Sequence, residues 1–339
     1  MGNRYEELLK NKCIRQFWNS SDNNLLFCPP KGRIYHYTSS NAFASIIQNE
    51  KLWATKANYM NDMKEIDYAC DLFYQRLNES KIINSEKEEI RKSFQDKISK
   101  GLFDNIFVLC FSSNPDSLPL WSYYGKSDGY NIGFDPSFIS DLVNLKHFKV
   151  QNLTQGENNE LYFAESTGGS CVEIEAERGS AYIPDIKSNY VLYSKEKQIE
   201  VFDLFLDEIN FCINNDSREN RLNKGLCISK LVDFIPFMKH NSYSNEEEYR
   251  VLLQLKDASY IRVQQGKPNK FLFKIQKYRV FDGALIPYIS LKLNESNYFR
   301  SITISPFNRN ELSKKGLNEI VYSFPYDLEI IESEIPSRF

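Results

Sequence analysis

Histidine is scarce in this chain of 339 residues: it stands only at 36, 147 and 240, and no two fall at the i, i+4 spacing that pairs ligands on a helix. A His-rich transition-metal site is therefore not signalled. The seven cysteines are scattered, odd in number and free of any C-x-x-C pair, so neither a disulfide framework nor a zinc site is indicated and they read as reduced packing residues. Charge of one sign is also missing. With 42 basic against 45 acidic side chains the net charge is −3, which excludes a global field strong enough to hold nucleic acid and leaves only a local basic groove. No run of about 18 apolar residues exists, so no membrane-spanning helix is expected. The charged start, Met-Gly-Asn-Arg-Tyr-Glu, predicts neither a signal peptide nor a myristoylation site, and the protein is expected to be cytoplasmic. G-x-G-x-x-G after a strand, G-x-x-x-x-G-K-[ST] and G-x-S-x-G are all absent, which removes the usual support for three common enzyme classes.

What is present is an ordinary globular composition, 42% hydrophobic and 26% charged, with many rings: 21 Tyr and 24 Phe. The length suits one large domain or two ordinary ones. Arg33-Ile-Tyr-His-Tyr-Thr38 reads as a strand, Ser39-Ser40-Asn41 as a cap, and Ala42, Phe43, Ile46 and Ile47 as a helix face. Lys51 to Thr55 reads as a second strand, and Asn61-Asp62 caps a helix bearing Ile66, Ala69, Cys70 and Phe73. Residues 80–100 are expected to be a helical, solvated insertion. Ile106 to Phe111 is a buried-looking strand ending in turn residues 112–115, followed by a short aromatic helix at 118–124 and a strand at 130–134. Part of 151–180 reads as loop and 195–240 as a helical block. Strands return at 248–253, 259–263, 271–275, 284–291 and 301–304, with a terminal pair near 320–331. Helices inserted among irregularly spaced strands indicate an α+β fold rather than a regular βαβ alternation.

Polar residues at strand ends are the candidates for chemistry, because a rigid scaffold holds them. His36-Tyr37-Thr38 lies where the first strand gives way to a helix; His36 reads either as a cleft residue or as a histidine satisfied in the core. Asp62 and Glu65 stand three apart on a first helical turn, the spacing of a capping box as well as of a site. Trp121, Tyr123 and Tyr124 suit either stacking on a planar ligand or core packing. Alternation places Glu246, Glu248 and Arg250 on one face of a strand, an arrangement that serves either a surface ion pair or stabilisation of a positive transition state.

Taken together, these segments resemble a bacterial family known as domain of unknown function 2971. The resemblance rests on His36-Tyr37-Thr38, Leu52-Trp53, Asn61-Asp62-x-x-Glu65, Cys110-Phe111-Ser112, Leu120-Trp121-x-x-Tyr124-Gly125, Gly133-Phe134, Glu248-Tyr249-Arg250, Ile286-Pro287-Tyr288-Ile289, Ile304-x-Pro306 and Ser333-x-Ile335-Pro336-x-Arg338, in order along the chain. That family is more distantly similar to the ADP-ribosyltransferase superfold. The resemblance implies a single domain over 1–339 with a split, mostly antiparallel sheet around a cleft, flanking helices and a helical insertion at about 195–240. It implies NAD as substrate and no metal. His36 would bind the nicotinamide-side ribose, with Tyr37 or Thr38 near the amide. Glu248 would be the catalytic carboxylate and Glu246 the residue that selects the acceptor. Ser112, or Trp121 with Tyr124, would supply the second motif, Arg250 and Arg338 would hold the diphosphate, and Asn61, Asp62 and Glu65 would contact the substrate or brace the cleft wall.

A fixed carboxylate beside the ribose stabilises the oxocarbenium ion formed when the nicotinamide bond breaks, while aromatics hold the leaving ring. The implied activity is an ADP-ribosyltransferase or NAD-consuming effector, as in toxins and antiphage defence, with nucleic acid or protein as acceptor. Two alternatives stand beside it. One is an inactive nucleotide-binding sensor; the other is a nuclease-like enzyme holding a divalent cation between Asp62, Glu65 and Glu248.

Overall fold

The computed structural model describes residues 28–60, 63–99, 106–144, 154–155, 161–162, 172–174, 182–257, 277–293, 298–308, 310–325 and 327–336. In chain order the first elements are β1 (Ile34–Thr38), α1 (Ser40–Asn49), β2 (Lys51–Lys56), α2 (Met63–Glu79), α3 (Asn84–Lys97), β3 (Ile106–Ser112), β4 (Tyr130–Phe134) and α4 (Ser137–Asn144). Next come β5 (Thr154–Gln155), β6 (Leu161–Tyr162), β7 (Val172–Ile174), β8 (Tyr182–Tyr190), α5 (Lys195–Asn214) and α6 (Arg218–Phe234). The chain continues through β9 (Glu248–Asp257), β10 (Lys277–Phe281), β11 (Ala284–Leu293), β12 (Phe299–Ile304), α7 (Glu311–Ser323) and β13 (Glu329–Glu332). Over the described residues these elements fall into two compact units, one holding α2, α3, α5 and α6, the other holding α1, α4, α7 and most of the strands.

The first unit is helical. Ser194 and Ser217 cap α5 and α6 by accepting hydrogen bonds from the backbone N–H of Lys197 and Asn220, which satisfies donors that a helix start leaves free. The helices meet through rings: Phe73 stacks on Phe94 at 4.1 Å and packs near Phe202 at 5.6 Å, while Phe205 meets Phe234 edge-on at 5.7 Å. Each such ring, taken from water, contributes roughly 1.5–3 kcal/mol. Residues 80–100 are thus not merely solvated, because Ile90 and Phe94 of α3 are completely buried on the face turned to this core. The region expected as a helical insertion holds α5 and α6, which pack with α2 and α3 in this unit.

The second unit carries the sheet, so the fold is α+β, with a mixed and mostly antiparallel sheet and flanking helices. Among the described residues eleven strands join it, in the order β10-β11-β2-β3-β1-β4-β12-β13, with β9 also paired to β3 and β8, and β7 to β11. The pairing of β12 with β13 is parallel. The terminal strand pair expected near 320–331 is instead α7 followed by β13; Asn310 caps α7 by accepting from the Leu312 N–H at 3.0 Å. The strands expected at 259–263 and 271–275 lie outside the described residues.

Register assigns the two faces at the sheet centre. Ile34 and His36 pair with Phe134 and Ile132, so this face is largely apolar, and Phe111, Phe134 and Phe138 cluster on it. Tyr35 and Tyr37 occupy the opposite face with Gly133, Asn131, Ser301 and Thr303. Gly133 is required there: a Cβ would stand 2.2 Å from Ser301 Oγ and 3.1 Å from the Tyr35 ring. Among the described residues no helix is long and apolar enough to cross a membrane.

Candidate functional site

The loop after β3 is organised around Tyr37. Its hydroxyl donates to the Asn114 carbonyl at 2.8 Å and accepts from the Ser117 N–H at 2.9 Å, while its ring meets Trp121 edge-on at 4.8 Å. Burial, the largest cause, pushes the Tyr37 phenol above its ordinary pKa, so it stays protonated as a donor. Trp121 is completely buried, and its Nε1–H donates to Asp116 Oδ1 at 2.7 Å. Asp116 also accepts from Ser333 Oγ and the Glu334 N–H, which ties the terminal segment to this loop. Trp121 therefore presents no ring face to a ligand. The exposed rings of that turn are Tyr123 and Tyr124, on a π-helical turn over Trp121–Gly125.

Ser112 connects this loop to the carboxylates. Its hydroxyl donates to the Glu246 carbonyl at 2.7 Å and accepts from the Asn114 N–H at 3.0 Å. Glu246 ends a 3-10 turn, and Glu247 takes a left-handed φ of 44° before β9 begins at Glu248. The expected strand alternation consequently starts two residues late. Glu248 and Arg250, two apart on β9, do share a face: Arg250 Nε and Nη2 donate to the two carboxylate oxygens of Glu248 at 2.6 and 2.8 Å. Both side chains are less than one-tenth exposed, so this pair is a buried bidentate fork.

His36 Nδ1 lies 3.1 Å from the Cys110 carbonyl, the position from which a neutral imidazole donates and leaves Nε2 as an acceptor. Burial holds the His36 pKa below its ordinary value, the carbonyl opposes this, and the positive charge of Arg279 lowers it further. His36 and Glu248 stand on strands that both pair with β3. Arg279 itself, on β10, donates from Nη2 to Thr55 Oγ1 at 3.0 Å, while its Nε is buried without a hydrogen-bond partner. Trp53 stacks on Tyr288 at 4.5 Å in the same region of the sheet. Sequence reasoning placed Trp53 and Tyr288 in motifs but gave them no role, and it missed Arg279 and β10 altogether; Lys-Tyr-Arg-Val-Phe carries two charges, yet Asp282-Gly283, the two-residue turn that joins it to β11 with φ of 51° and 78°, is a hairpin signal that could have found it.

The remaining candidates are dispersed. Thr38 is buried opposite Tyr130. Glu65 belongs to the helical unit, where it pairs with Lys239 Nζ at 2.6 Å with both side chains almost fully covered. Asn61, Asp62 and Arg338 lie outside the described residues. Among the described residues no group of three or more His, Cys, Asp or Glu side chains converges as a metal site.

Residues 120–251 match the family model described as "Protein of unknown function (DUF2971)", which supports the family to which the motifs point. The matched stretch contains Trp121, Tyr124, Glu246, Glu248 and Arg250 but neither His36 nor Arg279. No curated protein and no solved structure matches the chain.

Proposed function

We propose that the sheet unit handles NAD in the manner of an ADP-ribosyltransferase. The observation that supports this reading is a neutral histidine, oriented through Nδ1 by the Cys110 carbonyl, and a buried, fork-held carboxylate on two strands that share β3 as neighbour. In this reading His36 Nε2 accepts from a hydroxyl of the nicotinamide-side ribose, and Glu248 stands by the anomeric carbon. The glycosidic C–N bond breaks with its electron pair going to the nicotinamide ring, which leaves neutral. An acceptor oxygen or nitrogen, on protein or nucleic acid, then forms the new bond and gives up its proton. Arg250 serves to fix the Glu248 carboxylate, and Glu246 sits where the acceptor approaches.

Chromatographic assay of nicotinamide release from NAD, with and without cell lysate and with chelator present, tests the reading. Release is expected, and Glu248→Gln should lower it by at least a hundredfold while His36→Asn lowers it by at least tenfold. Turnover unchanged in Glu248→Gln would overturn the assignment. The fork itself favours a second reading, because Arg250 already occupies both Glu248 oxygens: a nucleotide sensor that binds NAD without cleaving it, shown by calorimetric binding in the absence of release.

A further inference from the structure

Sheet register gathers one polar patch that the chemistry above does not use. Arg279 pairs with Ile286, Tyr288 with Thr55, and Ser290 with Trp53. Directly paired residues share a face and alternate residues return to it, so Arg279, Tyr288, Ser290, Trp53 and Thr55 all lie on one side. The other side carries Ala54, Leu52, Ile289 and Leu291, each essentially without solvent exposure, and is core.

On the polar side two buried atoms have no hydrogen-bond partner, Arg279 Nε and Ser290 Oγ. Arg279 donates to the neutral Thr55 hydroxyl at 3.0 Å, and among the described residues it forms no ion pair with a carboxylate. A guanidinium taken out of water with an unpaired N–H is costly, and its planar fork matches the oxygens of a phosphate. Beside it the Trp53–Tyr288 stack, 4.5 Å between centroids and 29° from parallel, leaves Trp53 37% exposed. An anion anchor next to an accessible indole fits a ligand that joins a phosphate to a planar base.

We propose that this face of β10, β11 and β2 binds a nucleotide, with Arg279 and the Ser290 hydroxyl on its phosphate and Trp53 against its base. The ligand class rests on the nucleotide reading above; the site does not depend on cleavage of a glycosidic bond.

Calorimetric titration of the full chain with AMP, inorganic phosphate and adenosine tests it. AMP is expected to bind saturably, at least tenfold more tightly than phosphate or adenosine alone. Arg279→Gln should weaken AMP at least tenfold and Arg279→Lys at least threefold, while Trp53→Leu weakens AMP and leaves phosphate within twofold. Circular dichroism and melting of each variant report folding; should Arg279→Gln unfold, Arg279→Lys and Trp53→Leu decide. AMP affinity within twofold of the parent in the folded arginine variants overturns the site, as does phosphate binding that matches AMP and ignores Trp53→Leu. Unchanged AMP binding in Arg279→Gln with NAD cleavage intact overturns this site alone. AMP binding lost in Arg279→Gln, in a chain that releases no nicotinamide, supports the site and overturns the transferase reading.

Discussion

The helical unit and the sheet unit differ in the partners they give their half-buried cations. In the helical unit Arg76 is gripped by Asp203 at 2.8 and 2.9 Å, Lys224 lies 3.0 Å from both Glu86 and Glu89, and Lys239 sits against Glu65. Gln198, completely buried, donates to two carbonyls and accepts from Tyr68. Among the described residues the sheet unit pairs Arg250 with Glu248 and Arg300 with Asp135 but gives Arg279 no carboxylate; unpaired buried atoms occur in both units, on Asn58 and Ser188 in the helical one and on Asn131, Ser290 and Ser301 in the sheet. Charge that stabilises a fold is neutralised at home, since an unpaired buried group costs free energy. Where a protein tolerates such a group, a ligand is the natural partner. The difference singles out Arg279 as a cation for which the described residues supply no carboxylate.

Mutations test this contrast most sharply through stability. Glu65→Ala removes the carboxylate from Lys239 Nζ in a covered site and should destabilise by about 3–5 kcal/mol, the range for breaking a buried ion pair, read from urea unfolding. A loss below about 1 kcal/mol would show that this pair is not structural and would dissolve the contrast.

Trp121→Phe retains a buried ring but removes the hydrogen bond to the Asp116 carboxylate. It should cost about 2 kcal/mol in the same assay, as expected for a bond to a charged acceptor. Hydrogen exchange at Glu334 and Ile335 should also quicken, because Asp116 holds that segment through Ser333 Oγ and the Glu334 N–H.

Acidity probes the sheet unit more gently. Burial, seconded by Arg279 and opposed by the Cys110 carbonyl, depresses the His36 pKa in the folded protein. Between that depressed value and the ordinary value of about 6.5, the unfolded chain binds a proton that the folded chain does not. The stabilisation is therefore complete above about pH 6.5 and is lost as pH falls through the folded value. Melting temperature should drop between pH 7 and 5, and His36→Gln should drop less; parallel curves would remove the histidine from the account.

Arg279→Gln should have the smallest effect on stability, under about 1 kcal/mol, since no carboxylate is orphaned and the amide can still reach Thr55. A loss as large as that of Glu65→Ala would make Arg279 a structural cation like those of the helical unit.

Local order was legible in the sequence wherever period, cap and turn agreed. β1, the Ser39 cap and α1 appear as read, because Ser39 is followed by Phe43, Ile46 and Ile47 at helical spacing and all three are buried. The same holds for β3, β4 and the helices at 195–234. The burial of α3 was not legible: its charged composition hides Ile90 and Phe94, which reach the core only because α2 and α5 supply Phe73 and Phe202. Trp121 showed the converse, since an aromatic turn has the same composition whether its indole faces a ligand or is sealed by Tyr37 and Asp116.

By itself, then, the sequence determined β1, α1, β3, β4 and the helices at 195–234, through side-chain periodicity and capping chemistry that act over a few residues, but not β10 or α7. It also determined that Glu248 and Arg250 share a face, since two positions along a strand return to the same side. Which polar residues gain partners was decided only by tertiary structure. Glu65 meets Lys239 across 174 positions, Thr55 meets Arg279 across 224, and Trp53 meets Ser290 by register alone. A chain can bring such residues together only by closing long loops, and whether burial then leaves a donor satisfied or unpaired depends on what the opposing strand presents.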